Sequence, residues 1–209
     1  MSHVVLLGDS IFDNASYVPG RPAVVEQLRR ALPSEWRVTL LAVDGHCTKD
    51  VSGQLTRLPA DASHLVVSVG GNDALSSGSI LGQSAHSVDG ALRLLQDVRS
   101  SFRDAYRAML EALRATALPA VVCTVYDSVP DLSGAEQAAL AGFNEIILRE
   151  AVSARLPVID LRVLCDQPAD YSHVSAIEPS AVGGLKISRV IAEVVTTHDF
   201  SRGLCVIYS

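Results

Sequence analysis

Gly8-Asp9-Ser10 follows directly on the apolar run Val4-Val5-Leu6-Leu7, half of which is β-branched. Such a run reads as a buried strand that stops at a tight turn and presents a hydroxyl there. Ser10 is thereby a candidate nucleophile, because a serine at the carboxyl end of the first strand of an open α/β sheet faces the crevice where such folds bind ligands. The same residues would also serve merely to cap the next helix, so the case depends on what else gathers at that end. Asp44-Gly45-His46, Gly70-Gly71-Asn72-Asp73 and a stretch with Asp170, His173 and Glu178 are further polar clusters. A hydroxyl, a base and donors for a developing oxyanion are the parts that acyl transfer requires.

The elements that must hold these clusters follow from periodicity. Val24, Val25, Leu28 and Leu32 give an apolar stripe at helical spacing after Pro22. Arg37 to Val43 reads as a second strand ending at Asp44, with a short amphipathic helix from about Thr48 to Leu58. Ala62 to Val69 is a third strand, ending at Gly70. Ser76 to Ser87, rich in Gly and Ser, is the most loop-like part of the chain and a candidate lid or rim. Val88 to Thr116 carries a long helical stripe that includes Phe102, Tyr106 and Leu113, read as core. Leu118 to Val125 is a fourth strand. Ser133 with Glu136 three residues on forms a capping-box pattern opening a helix to about Ala154. Leu156 to Leu161 is a fifth strand, and Pro179 opens a final helix to about Thr196. The tail, Phe200 to Ser209, adds an edge strand or packs on a face. Five alternations of strand and helix without repeat or linker predict a doubly wound parallel α/β/α fold, expected as one domain over residues 1–209.

With each polar cluster placed after a strand, the chain resembles the SGNH (GDSL) hydrolase family. Gly8-Asp9-Ser10 matches its first block, Gly45 its second, Gly70-Gly71-Asn72-Asp73 its third, and an Asp-x-x-His region near the carboxyl end its last. The resemblance implies a three-layer, flavodoxin-like fold with a five-stranded parallel sheet, and ester or thioester hydrolysis through an acyl-enzyme. It also implies an oxyanion hole made of the backbone N–H of Ser10, the backbone N–H of Gly45 and the side-chain amide of Asn72. A glycine at 45 is expected because it lets backbone approach without a Cβ in the way.

The base is where the chain departs from the family pattern. There the His acts as base, the Asp orients it, and a Pro-Ser pair follows the His at once. Here the literal match is Asp170-Tyr171-Ser172-His173, yet Pro179-Ser180 comes five residues late and Glu178 occupies the register of the His. Three alternatives stay open: His173 folds back to Ser10, Glu178 replaces it, or the protein is catalytically silent. A carboxylate is intrinsically weaker than imidazole by about two pKa units. A following helix start would lower Glu178 further, and only burial would raise it. His46 is an outside candidate. Asp13, Asp73 and Asp127 face the same end of the sheet, with capping as their default role.

Composition narrows the partners. The 209-residue chain carries a net charge of −6 with no run of Lys or Arg, so nucleic acid is not an expected partner. No apolar run reaches the length needed to cross a bilayer, so stable membrane insertion is not expected. The first strand begins too close to Met1 for a secretory leader, and a cytoplasmic location is expected. Cys47, Cys123, Cys165 and Cys205 are scattered, so no cofactor, metal site or disulfide framework is expected. The reading is a serine hydrolase of short-chain acyl esters acting through Ser10. The alternative is a silent protein of the same fold that binds an acylated sugar or lipid.

Overall fold

The structure is a computed structural model that describes residues 2–209. Its centre is a six-stranded sheet in the order β2-β1-β3-β4-β5-β6. The strands are β1 (His3–Gly8), β2 (Arg37–Leu40), β3 (His64–Ser68), β4 (Ala120–Cys123), β5 (Val158–Ile159) and β6 (Ile207–Tyr208). Every pairing is parallel. A parallel sheet needs cover on both faces, and the alternation along the strands supplies it. Val4, Leu6 and Val66 point to one core with Val24, Leu28, Ile187 and Ile191. Val5, Leu7, Leu65 and Val67 point to the other with Phe102, Leu110, Phe143 and Ile147. The first core lies under helices α1 (Val24–Ala31) and α7 (Ala181–Thr197), the second under α4 (Val88–Ala115) and α5 (Gly134–Ala154). The shorter helical segments include α2 (Val51–Leu55), α3 (Gly71–Ser77), α6 (Leu161–Leu164) and a 3-10 turn over Gly78–Gly82. Ser133 and Glu136 form the expected reciprocal cap of α5.

Two expectations change. The sheet has six strands instead of five, because the exposed edge of β5 recruits the tail. The Val158 N–H donates to the Val206 carbonyl at 2.9 Å and the Asp160 N–H to that of Tyr208 at 2.7 Å. Ser76 to Ser87 is not a long loop either. Its first half continues α3 and the 3-10 turn, whose Ala74, Leu75, Ile80 and Leu81 have an apolar cavity to face.

The chain turns from one side of β1 to the other between β2 and β3, so the crevice of the fold opens at the carboxyl ends of β1 and β3. Gly8 makes the approach of these two ends possible. It has φ +123°, and a Cβ there would lie 1.9 Å from the Ser68 carbonyl oxygen. Gly8→Ala is expected to cost at least about 3 kcal/mol, from strain and backbone displacement. Thermal unfolding should show a melting temperature lower by about 6–12 °C. A shift under about 1 °C would mean that the β1–β3 contact relaxes without cost.

Candidate active site

Ser10 sits on the turn after β1. The Asp9 N–H donates to the Ser68 carbonyl, the Ile11 N–H to Asp9 Oδ1 at 3.1 Å, and the Phe12 and Asp13 N–H groups both donate to the Asp9 carbonyl. Burial pushes the Asp9 carboxyl up to about 8; the Ile11 N–H opposes the rise and the charges of Glu178 and Asp73 add to it. At neutral pH Asp9 is therefore mostly uncharged.

Ser10 and Glu178 meet. Ser10 Oγ donates to Glu178 Oε1 at 2.9 Å, and Glu178 is only 4% exposed. Burial raises the Glu178 carboxyl to about 7, against the Ser10 hydrogen bond and with help from the charge of Asp44. The helix-start argument fails because α7 begins only at Ala181 and desolvation outweighs it. Among the described residues, Glu178 Oε2 is buried without a partner.

The backbone explains why Glu178 and not His173 arrives here. Tyr171 bridges Pro179 in antiparallel fashion, the Ser172 N–H donates to the Glu178 carbonyl at 2.8 Å, and the Glu178 N–H donates to that of Ser175 at 3.0 Å. This pairing closes residues 173–177 into an excursion, and His173 stands on it exposed. No hydrogen bond links His173 to Ser10. Asp170, which would orient a His in the family pattern, instead accepts from Lys186 Nζ at 2.7 Å and from the Gln167 N–H at 3.0 Å. Buried side chains hold the segment on both flanks of Glu178. Tyr126 Oη donates to the Ile177 carbonyl at 2.6 Å, and Asn14 Nδ2 donates to that of Pro179 at 3.1 Å. Neither had a sequence signal beyond lying in a loop after a strand.

Of the expected oxyanion donors, Gly45 lies on the loop after β2 and Asn72 in the first turn of α3. Gly45 adopts φ +80°, and nothing lies within 4 Å of where its Cβ would be. Its left-handed backbone, not a close approach, is what calls for glycine there. Among the described residues, the N–H groups of Ser10 and Gly45 donate to no protein acceptor. Asn72 Nδ2 donates one hydrogen to the His46 carbonyl at 3.0 Å, which leaves its second hydrogen free. Gln54, fully buried, ties the loops together: Oε1 accepts the Gly8 N–H, and Nε2 lies 2.7 Å from the Gly8 carbonyl and 3.0 Å from His46 Nδ1. His46 is thus engaged with Gln54. Asp13 and Asp73 are helpers of the same loops, accepting from the Asp44 N–H and from Thr48. Among the described residues no group of three or more His, Cys, Asp or Glu side chains could hold a metal ion, and no helix is long and apolar enough to cross a membrane.

A parallel α/β/α fold with a serine and a buried carboxyl at its crevice defines a class that comparison makes specific. A lipase from a goat rumen metagenome superposes with a TM-score of 0.71 at 20% identity, covering 90% of this chain and 94% of that one. A lipolytic protein of the G-D-S-L family from Veillonella parvula gives 0.70 at 16%, covering 94% and 100%. An acetyl xylan esterase gives 0.69 at 17%, covering 92% and 99%. No curated protein matches the chain. The model of the GDSL-like lipase/acylhydrolase family matches residues 6–183, so the chain belongs to that family and to the hydrolases that act on esters.

The buried carboxyl has a consequence for stability. A folded-state pKa above the unfolded one means that the folded protein binds the proton more tightly, so stability is lost as pH rises from about 4.5 to about 7. Glu178→Gln keeps an acceptor for Ser10 and removes the charge. It should be as stable as the native protein at pH 4 and more stable by about 2–3 kcal/mol at pH 8. Urea unfolding at the two pH values checks this, and equal stability at pH 8 would show that the carboxylate is well solvated.

Proposed function

We propose that the protein is a serine hydrolase that cleaves carboxylic esters through a Ser10 acyl-enzyme, with Glu178 as the general base. The 2.9 Å hydrogen bond from Ser10 Oγ to a buried carboxyl carries this reading. A base works best when its pKa lies near the working pH, and burial brings Glu178 to about 7. In the first half-reaction Glu178 takes the Ser10 proton as Oγ bonds to the acyl carbon. The tetrahedral oxyanion is held by the N–H groups of Ser10 and Gly45 and the Asn72 amide. The C–O bond to the alcohol then breaks, and the proton on Glu178 passes to the departing alkoxide. In the second half-reaction water gives a proton to Glu178 while its oxygen bonds to the acyl carbon. The C–Oγ bond breaks, the acid leaves and the proton returns to Ser10. Glu178 Oε2, buried and unpartnered, supplies a second acceptor for that water. Asp9 stays mostly uncharged and so does not oppose the developing oxyanion.

Hydrolysis of p-nitrophenyl acetate and butyrate across pH tests this reading. Ser10→Ala should fall to background. Glu178→Gln should lose about 10²- to 10⁴-fold and Asn72→Ala about 10²- to 10³-fold, whereas His173→Ala should stay within about twofold of native. The native kcat/KM should fall as pH drops through about 7, because the base works only when deprotonated. Retained activity in Glu178→Gln together with loss in His173→Ala would transfer the role to His173. A native protein no faster than Ser10→Ala would replace hydrolysis with acyl-ligand binding.

A further inference from the structure

An apolar cavity of about 280 Å³ starts at Ser10, Asn72 and Glu178 and runs between the α3 segment and the helices α4 and α5. Its walls beyond the polar end include Ala74, Leu81, Leu95, Val98, Leu140 and Phe143. Ser77 and Glu136 also line it, but most of its surface is apolar, and a site of that kind recognises a largely apolar molecule with one polar end. On the other side of Ser10 the surroundings are different in kind. Asp44 and Gly45 are exposed, Tyr17 Oη donates to Asp44 Oδ2 at 2.7 Å, and none of these lines the cavity.

We propose that this cavity receives the acyl chain of the substrate, that the chain has about six to ten carbons, and that the alcohol of the ester is polar and leaves past Asp44 and Gly45. The inference rests on the reading of Ser10 as nucleophile. The acyl group stays bonded to Oγ between the two half-reactions, whereas the alcohol must depart and water must replace it. A walled apolar space suits the part that stays, and an open polar side suits the part that exchanges. At roughly 30 Å³ for a water-sized group, the volume sets the chain length and takes the preferred substrates beyond the short acyl esters expected from the sequence. Val98, Leu140 and Phe143 are then the residues that determine chain length.

The test is kcat/KM for p-nitrophenyl esters from acetate to palmitate, beside acetate esters of alcohols from ethanol to octanol. Each added acyl methylene should raise kcat/KM by about fourfold until the cavity is full at about six to ten carbons, with no such rise in the alcohol series. Ala139→Phe, at a half-buried wall position of α5, should leave acetate hydrolysis within about twofold and lower octanoate hydrolysis at least tenfold. Should that variant fold poorly, Val98→Phe on α4 should lower the ratio of octanoate to acetate hydrolysis at least tenfold. A native profile that is flat or falls from acetate onward overturns the proposal, as does a rise confined to the alcohol series; the hydrolase reading survives both. Calorimetric binding of octanamide and acetamide to Ser10→Ala is independent of turnover. Octanamide should bind at least tenfold tighter, and Ala139→Phe should remove the difference. Equal binding overturns the chain site, whereas preferential binding without ester turnover in the native protein upholds the site and rejects the hydrolase reading.

Discussion

Burial of one carboxyl beside one hydroxyl is the constraint on which the rest of the crevice depends. Glu178 is removed from water with a single hydrogen bond to one oxygen and none to the other, an arrangement that costs stability whenever the group is charged. The protein holds it there with neighbours that contribute no chemistry of their own. Tyr126 and Asn14 each donate to a carbonyl next to Glu178 in the chain, and Ser172 pairs with its backbone. Fixing the backbone on both sides keeps the side chain from swinging to solvent. A desolvation cost of this kind is what the proposed role of Glu178 as base requires.

The same burial accounts for how a carboxylate could serve where the family pattern expects an imidazole. An imidazole titrates near neutrality by its own chemistry, whereas an exposed glutamate lies about two units lower. Desolvation lifts Glu178 to about 7, so the environment supplies the basicity that the residue type lacks. Asp9 is the complement. It lies on the turn that carries Ser10, and burial raises it to about 8. The charge of Glu178 adds to that rise, so the titrations of the two buried carboxyls are linked. A proton held on Asp9 keeps the turn beneath Ser10 uncharged.

Much of this was legible in the residues because it is local. Val4 to Ser10 announces both a strand and the turn that ends it, and the clusters at Gly45 and Asn72 repeat that grammar after β2 and β3. Ser133 and Glu136 mark the start of α5 through a contact three residues long. What was not legible depends on partners far apart in sequence. Tyr208 joins the sheet only because the edge of β5 is free. The Ser76 region is ordered because Leu75 and Leu81 have a cavity to line. The choice between His173 and Glu178 was equally hidden, since it follows from Ser172 pairing with Glu178 across the excursion at 173–177. The helix-dipole argument pointed the wrong way for a related reason: it is a local argument, and burial is not.

An apolar cavity and a carboxylate base also belong together physically. Glu178 lines the same cavity as Ile177, Tyr126 and Val129, so the walls that suit a hydrocarbon chain are the walls that desolvate the base. An imidazole base gains nothing from such a wall, because burial lowers its pKa. A carboxylate gains basicity from every water the wall excludes, and a chain seated in the cavity excludes more. In the proposed reading a seated acyl chain therefore strengthens Glu178 as base, provided the departing alcohol and the incoming water use the polar side by Asp44. In that reading the cavity and the basicity of Glu178 are one feature, since the same side chains keep water from both.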